Sequence, residues 1–396
     1  MSTSPKPAPK PAPKPAGSLD QIRVIDFTSV LSGPYCTRLL ADLGAEVIKI
    51  ESADGDHNRH RPPIREGRSS IFGAVNCGKK SIVLDLKSAA GRRAAVALGM
   101  KADVIVENWR PGVADRLGIG YQAFEPVRPN IIYCSISGYG QDGPKAMLPA
   151  YAPILHAASG YDLTQMALDR ADHPGRTGLY IADLFSGFSA FAAIQSALFQ
   201  RERTGCGQFI DVAMMDCMLN LPVFELQMAQ FPTPPRRILR PLRASDGFVC
   251  ISPFNNRLFS DMMRAIGHPE WIEDPRFKEE PTRDLNWDEM MDCVETWTCI
   301  RSAADCERLL LAAKVPCSRY RTVDEMLTDE HLLGRGALVQ VGDKSGNYMV
   351  ANTPFRMTGS RVEARPHVAD LGENTDEILS SLLGYCAAEI EACKPK

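Results

Sequence analysis

The chain is 396 residues long, 44% hydrophobic and 23% charged, and its 48 acidic against 45 basic residues leave a formal net charge of −3. That balance excludes the basic domain or stripe with which nucleic-acid binders grip phosphate, and without an apolar run of about 18 residues the sequence predicts no membrane-spanning helix. The 12 cysteines form no CxxC pair and the histidines do not cluster, so neither a disulfide framework nor a zinc site is expected, only reduced buried thiols in a cytoplasmic protein.

Residues 1–17, MSTSPKPAPKPAPKPAG, repeat Pro, Lys and Ala without an apolar stretch, which predicts an extended polyproline-like tail outside the fold and no secretory leader. IRVIDF (22–27) alternates as a strand, GPYCTRLLADLGA (33–45) reads as a short helix opened by Pro34, and EVIKIE (46–51) is a second strand. SIVLDL (81–86), an Ala-rich helix over 88–101, ADVIVE (102–107) and NIIYCSI (130–136) continue the alternation, so the fold class is α/β with a mainly parallel sheet. IADLFSGFSAFAAIQSALFQRER (181–203) is apolar nearly all round, which places it between packed elements. Arg201 and Arg203 suit its negative C-terminal end and Thr-Gly stops it. QFIDVAM (208–214) is a further strand, followed by a Met-rich helix from 214 to about 230. FPTPPRRILRP (231–241) is too proline-dense for either element and reads as a linker. GFVCIS (247–252), a helix over 256–267 and polar helices up to 314 make a smaller α/β module; beyond VPCSRYRT (315–322), short strands and loops lead to a final helix near 374–383.

Several stretches imitate known chemistry. GAVNCGKK (73–80) nearly spells a phosphate-binding loop, but Lys80 stands where Ser or Thr must meet magnesium, and the stretch precedes a strand instead of leaving one. GYGQDG (138–143) fits GxGxxG after a strand, yet Pro144 and Pro149 follow and no acidic strand end appears about 20 residues on. There is no GxSxG elbow. His156, alone among apolar residues, reads as a satisfied core group rather than a base.

Taken in order, SGPYCTRLLADLGAEVIKIE, KKSIVLDLK, ADVIVENWRPGVADRLG, ISGYGQDGP, ADLFSG, RTGCGQFIDVAM, DEHLLGRGAL and LGENTDEIL resemble the class III coenzyme A transferases, the CaiB and BaiF family that also contains alpha-methylacyl-CoA racemases. The resemblance runs from about residue 20 to 385. It implies a Rossmann-like large domain built from both ends of the chain, a smaller inserted α/β domain, and two chains interlocked as rings in a homodimer. On this sequence that gives residues 18–225 as the first part of the large CoA-binding domain, 226–242 as linker, 243–325 as the small domain and 326–396 as the returning part.

The resemblance also implies the chemistry. Asp183, in the segment matching the family's nucleophile, would attack an acyl-CoA thioester to give a mixed anhydride, which a carboxylic acid acceptor then exchanges. CoA enters as a substrate thioester, and neither a metal nor a redox cofactor is needed. Tyr151 matches a tyrosine near the acyl site. Val30, Leu84, Lys87, Asn108, Trp109, Arg116 and Leu117 match CoA-contact positions, with Lys87 and Arg116 suited to phosphates and Val30 and Leu84 to flanking the adenine. The backbone of SGYGQDG is a candidate oxyanion donor. Without the family, Asp183 reads as a first-turn carboxylate that only satisfies its own helix.

Departures narrow the reading. The basic residue relatives place after the second strand's Glu is Ser52 here, a loss His57, Arg59, His60 or Arg61 would have to cover. Leu31 and Ala152 replace a glutamine and an acidic residue of formyl-CoA transferase, which argues against formyl-CoA and oxalate as substrates. Racemases of the family use a Gly-His-Asp segment, and its counterpart here has Tyr151 and Ala152 in place of His and Asp, so one base of a two-base proton exchange is missing. A non-catalytic CoA-binding subunit is the remaining alternative, and retention of Asp183 argues against it.

Overall fold

A computed structural model of the chain describes residues 16–231 and 237–395. Most of the expected tail, residues 1–15, and the centre of the expected linker, residues 232–236, lie outside the described residues. The described residues form two compact units, one from the chain up to Val223 together with Glu330 onward, the other Phe224–Asp329.

The first unit is built on six strands, β1 (Arg23–Asp26), β2 (Glu46–Glu51), β3 (Lys80–Val83), β4 (Val104–Glu107), β5 (Ile132–Ser137) and β6 (Gln208–Ala213), in the order β3-β2-β1-β4-β5-β6. Every pairing in it is parallel. Parallel strands need both faces covered, which is why these segments read as apolar runs. On one face lie α1 (Ser32–Asp42) and, later in the chain, the long helix Ile181–Thr204; with Val24, Val47, Val106 and Cys134 they form one core. On the other face, α2 (Ala89–Gly99) meets two helices from the chain's end, Thr375–Leu383 and Ala387–Cys393, over Ile25, Ile48 and Ile105. The strand order reverses between β1 and β4, and crevices outside the carboxyl ends of strands at such a switch point are where open α/β sheets bind ligands.

After α3 (Ala152–Ala158), α4 (Ile181–Thr204) is the spine of the first core. By length and apolar composition alone it would cross a membrane. Here Ala190, Phe191, Ile194 and Leu198 are buried in the core, but Leu184, Phe188 and Phe199 are exposed, so within the described residues the helix is covered on one side and not all round as its composition predicts. Arg201 near its end is buried and ion-paired with Asp103 at 3.1 Å, and Gly205, at φ +73°, ends it in the left-handed conformation.

The second unit has its own core, with Phe259, Met262, Met290, Val294 and Leu310 under a three-stranded sheet of Leu242–Ala244, Gly247–Ile251 and Cys317–Arg319. Two helix expectations change. The Met-rich helix is two short ones, Met214–Leu219 and Val223–Met228, because Pro222 lacks the N–H that would continue the first. The helix at 375–383 is not the last, since Ala387–Cys393 follows Gly384 at φ +72°. The cysteines are free thiols, with no disulfide among the described residues.

Candidate functional site

The site grows from the end of β1. Asp26, its last residue, is fully buried and accepts hydrogen bonds from the Thr28 amide (2.8 Å), the Thr28 hydroxyl (2.5 Å) and the Thr37 hydroxyl (2.7 Å). It also pairs with the buried Lys79 ammonium at 3.0 Å. Burial alone would push this carboxyl up, but Lys79, Lys49 and the two hydroxyls together hold it at about 2. Lys79 also donates to the Pro34 carbonyl (2.9 Å), tying the start of α1 to the network. The GKK stretch that imitates a phosphate loop therefore turns inward.

Beside this pair, buried Lys49 donates to the Thr28 carbonyl (2.6 Å) and pairs with buried Asp56 at 3.0 Å. Asp56 accepts the Val30 amide (3.2 Å), and the Asn58 side chain donates to the Val30 carbonyl. Val30 needs that clamp. Its φ is +69°, a left-handed conformation that costs a β-branched residue roughly 1–3 kcal/mol and persists only where the surroundings over-determine it. From the other side of the switch point, at the end of β4, Asn108 accepts the Ser29 amide (2.9 Å) and donates to the Ser29 carbonyl (2.8 Å) and the Ser32 hydroxyl (3.3 Å).

That loop delivers Ser32, the first residue of α1, to Asp183 in the first turn of α4. The two helices touch where Gly187 has no side chain: a Cβ there would lie 2.4 Å from the Ser32 carbonyl oxygen. Burial pushes the Asp183 carboxyl up to about 6, against the opposing pull of the Ser32 amide and the Arg61 guanidinium. The cap of α4 is Tyr180, with no side-chain cap hydrogen bond; Asp183 faces another element instead of tying off its own helix. Because the clash at Gly187 is with main chain, Gly187→Ala is expected to part the helices, destabilise the fold by about 1–3 kcal/mol and lower kcat at least about tenfold, checked by urea unfolding and steady-state kinetics.

His156, on α3, is buried, and its Nε2 accepts the Ala182 amide at 3.1 Å, so the ring is the neutral tautomer protonated at Nδ1. Burial lowers its pKa, in keeping with that state. It satisfies a free N–H at the start of α4 and is the core group the sequence implied. Tyr151 caps the same helix and is 69% exposed.

The expected CoA contacts separate into two groups. Val30, Asn108 and Trp109 meet at the switch point, with the Trp109 ring 5.6 Å from that of Phe27 and its amide on Glu107 (2.7 Å). Lys87 and Arg116 are exposed, and Leu117 lines an open cavity of about 590 Å³ with Arg92, Arg93 and Val96. Arg92, on the cavity wall, donates to the Lys87 carbonyl (2.7 Å). Leu84 differs: its side chain is 1% exposed inside the second core and its amide is on the Glu51 carbonyl (3.0 Å), so the side chain does not flank an adenine. In SGYGQDG the Gln141 amide is already on Asp211 (2.9 Å), which removes it as an oxyanion donor. Among the described residues no group of three or more His, Cys, Asp or Glu side chains converges as a metal site would.

What the sequence reading missed is tertiary: Ser32, Gly187, Asp56 and the buried lysines. Lys49 in the apolar strand EVIKIE was the one visible signal, a charge where the alternation demands a core partner.

A family model described as CoA-transferase family III matches residues 19–375. The chain is 38% identical over 356 residues to an acetyl-CoA:oxalate CoA-transferase of Acetobacter aceti, covering 87% of this chain and 90% of that one. It is 31% identical to a succinyl-CoA:glutarate CoA-transferase of Mus musculus, covering 94% and 88%. A solved structure of a CAIB/BAIF family protein from Brucella suis superposes with a TM-score of 0.81 at 30% identity, covering 93% of this chain and all of that one.

Proposed function

This chain belongs to CoA-transferase family III and is a CoA-transferase, and from that premise we propose that it moves CoA from an acyl-CoA donor to a carboxylic acid acceptor through a mixed anhydride on Asp183. The observation that carries the proposal is the setting of the Asp183 carboxyl: half-buried in the first turn of α4, its pKa raised by burial, on a helix that meets Ser32 of the clamped switch-point loop through Gly187.

A carboxylate is a weak nucleophile, so most of the rate must come from fixing it against the thioester carbonyl, which supplies up to roughly 7–11 kcal/mol. Its raised pKa adds nucleophilicity, because basicity and reactivity rise together. In the first step an Asp183 oxygen bonds to the acyl carbon, the C–S bond breaks, and CoA leaves as thiolate. The acceptor carboxylate then attacks the Asp183 carbonyl carbon of the anhydride, displacing the donor acid. CoA thiolate finally attacks the acceptor's acyl carbon and releases Asp183 as carboxylate. No water enters and no net proton is consumed, so the thioester bond energy is passed on.

One relative is named for oxalate, which Leu31 and Ala152 argue against here, and another for glutarate, so longer dicarboxylic acids such as glutarate head the acceptors to be tried, with succinyl-CoA as a proposed donor. A cytoplasmic, interlocked homodimer belongs to the same proposal. Leu184, Phe188 and Phe199, 42%, 38% and 61% exposed along α4, support a partner there, and sedimentation velocity tests it. Incubation with succinyl-CoA and a panel of acids, read by mass spectrometry for new thioesters, tests the transfer, and hydroxylamine trapping should mark Asp183. Exchange of an α-proton with solvent deuterium in the absence of acceptor would instead establish a racemase.

Because Asp183 must be ionised to attack, kcat/KM for the donor is expected to rise between pH 5 and 7 with an apparent pKa of about 6. A flat profile across that range would show that another group carries the chemistry.

A further inference from the structure

The segment after β2 carries four basic side chains, His57, Arg59, His60 and Arg61, and the structure leaves one cation on it uncommitted. Arg59 donates to Glu51 (2.7 and 2.8 Å) and to the Ala369 carbonyl, and its guanidinium lies 3.7 Å from the Phe72 ring centre. The His60 ring bonds the Asp54 carbonyl at 2.9 Å. His57 is exposed and its imidazole lacks the planar fork of a guanidinium. Arg61 is half-buried, yet its side chain makes no hydrogen bond or ion pair among the described residues.

Its position is not left to a mobile loop. The Arg61 carbonyl accepts the Ser69 hydroxyl (2.6 Å) and its amide donates to Asn58 (3.3 Å). Asp56 and Asn58, from the same turn, hold the Val30 amide and carbonyl. Two residues past Val30, the main chain reaches Ser32 and so the Asp183 carboxyl. Arg61 therefore stands on the turn that clamps the Val30 loop leading to Ser32. Its charge is felt at Asp183, yet the two form no ion pair, so the guanidinium is not spent on the carboxylate.

An uncompensated, partly desolvated guanidinium is costly and its planar fork fits a carboxylate. Were it there only to keep Asp183 ionised, a direct pair would serve, at the expense of nucleophilicity. We infer that Arg61 is the specificity residue for dicarboxylic substrates, its guanidinium holding the carboxylate that does not react while the other end reaches Asp183. This rests on the proposed reaction at Asp183.

The test compares glutarate with pentanoate, acids of equal length that differ in the second carboxylate, using acetyl-CoA as donor. Assayed at pH 8, where Asp183 is ionised with or without the pull of Arg61, Arg61→Gln is expected to lower kcat/KM for glutarate about 100-fold, with pentanoate and the KM for acetyl-CoA changed less than about threefold; Arg61→Lys should recover part of the loss. An equal fall for both acids overturns the inference, and a rise in the KM for acetyl-CoA alone would make Arg61 a CoA-phosphate contact instead. Thermal shift keeps the two readings separable: glutarate should raise the melting temperature of the wild-type protein and not of Arg61→Gln. If the wild-type protein transfers CoA to neither acid, the anhydride reading falls, and this shift alone decides for or against Arg61.

Discussion

Asp183→Asn is expected to lower kcat by at least about a thousandfold, since a variant without the nucleophile keeps only binding and the fixed donors around the site. Hydroxylamine should then mark nothing at that position. The same change should make the protein more stable at neutral pH. Burial raises the native carboxyl from the ordinary 3.8 to about 6, so between these values the native state binds more protons than the unfolded chain. Stability of the wild-type protein must therefore fall as pH rises from about 4 to 6, and the deficit persists above pH 6. Two pH units correspond to about 3 kcal/mol, and with the carboxyl only partly buried about 1–2 kcal/mol of it should be seen. Urea unfolding should show Asp183→Asn more stable at pH 7 and equal to wild type near pH 3.5. A variant that is inactive and also less stable would point to a carboxylate serving the fold.

Asp26→Ala should have the largest effect on stability. The carboxylate is fully buried, takes three hydrogen bonds, and neutralises Lys79, whose ammonium burial has already drawn down to about 8 despite that partner. Removing one partner of a buried pair leaves the other charged and unsolvated, which costs about 3–5 kcal/mol. Asp26→Asn keeps the Oδ1 acceptor for Thr28 but replaces the oxygen that serves Thr37 and Lys79 with an NH2 donor, so its loss should be smaller than that of Ala and should shrink as pH rises and Lys79 gives up its proton. The sign follows because a lysine whose native pKa is depressed makes the unfolded state the greater proton binder, so stability climbs with pH. Urea titrations at pH 6.5 and 9 check both variants. If Asp26→Ala unfolds within about 1 kcal/mol of wild type, the network is not what holds the β1 loop.

The sheet was legible because buried parallel strands favour β-branched apolar residues, and Val and Ile recur in β1 to β6 between helical stretches even where charges such as Lys49 or Asp211 interrupt the run. Element ends were less so. The break before Val223 was signalled by Pro222 and passed over, while Ala387–Cys393 is too short to show a helical period. The site is different in kind. An Asp in the first turn of an apolar helix is ordinary in any sequence, and only resemblance singled out Asp183. What gives it a role is contact with Ser32, a residue far away in the chain, and no local pattern encodes that. Leu84 shows the converse: a position matched by resemblance whose side chain the core has already claimed.

The larger unit is closed by the end of its own polypeptide. Buried Asp42 on α1 takes the Thr353 hydroxyl at 2.7 Å, Arg38 donates to the Ala351 carbonyl at 2.6 Å, Arg365 to the Gly44 carbonyl at 2.6 Å, and Thr375 receives the Val83 amide at 3.0 Å. During synthesis, then, the first 223 residues leave the ribosome with an acid, a guanidinium, one main-chain carbonyl and one sheet-edge amide awaiting segments not yet translated. Vectorial folding cannot finish this half first; it must idle, partly open, until the last seventy or so residues arrive, and that interval is when a chaperone would matter most.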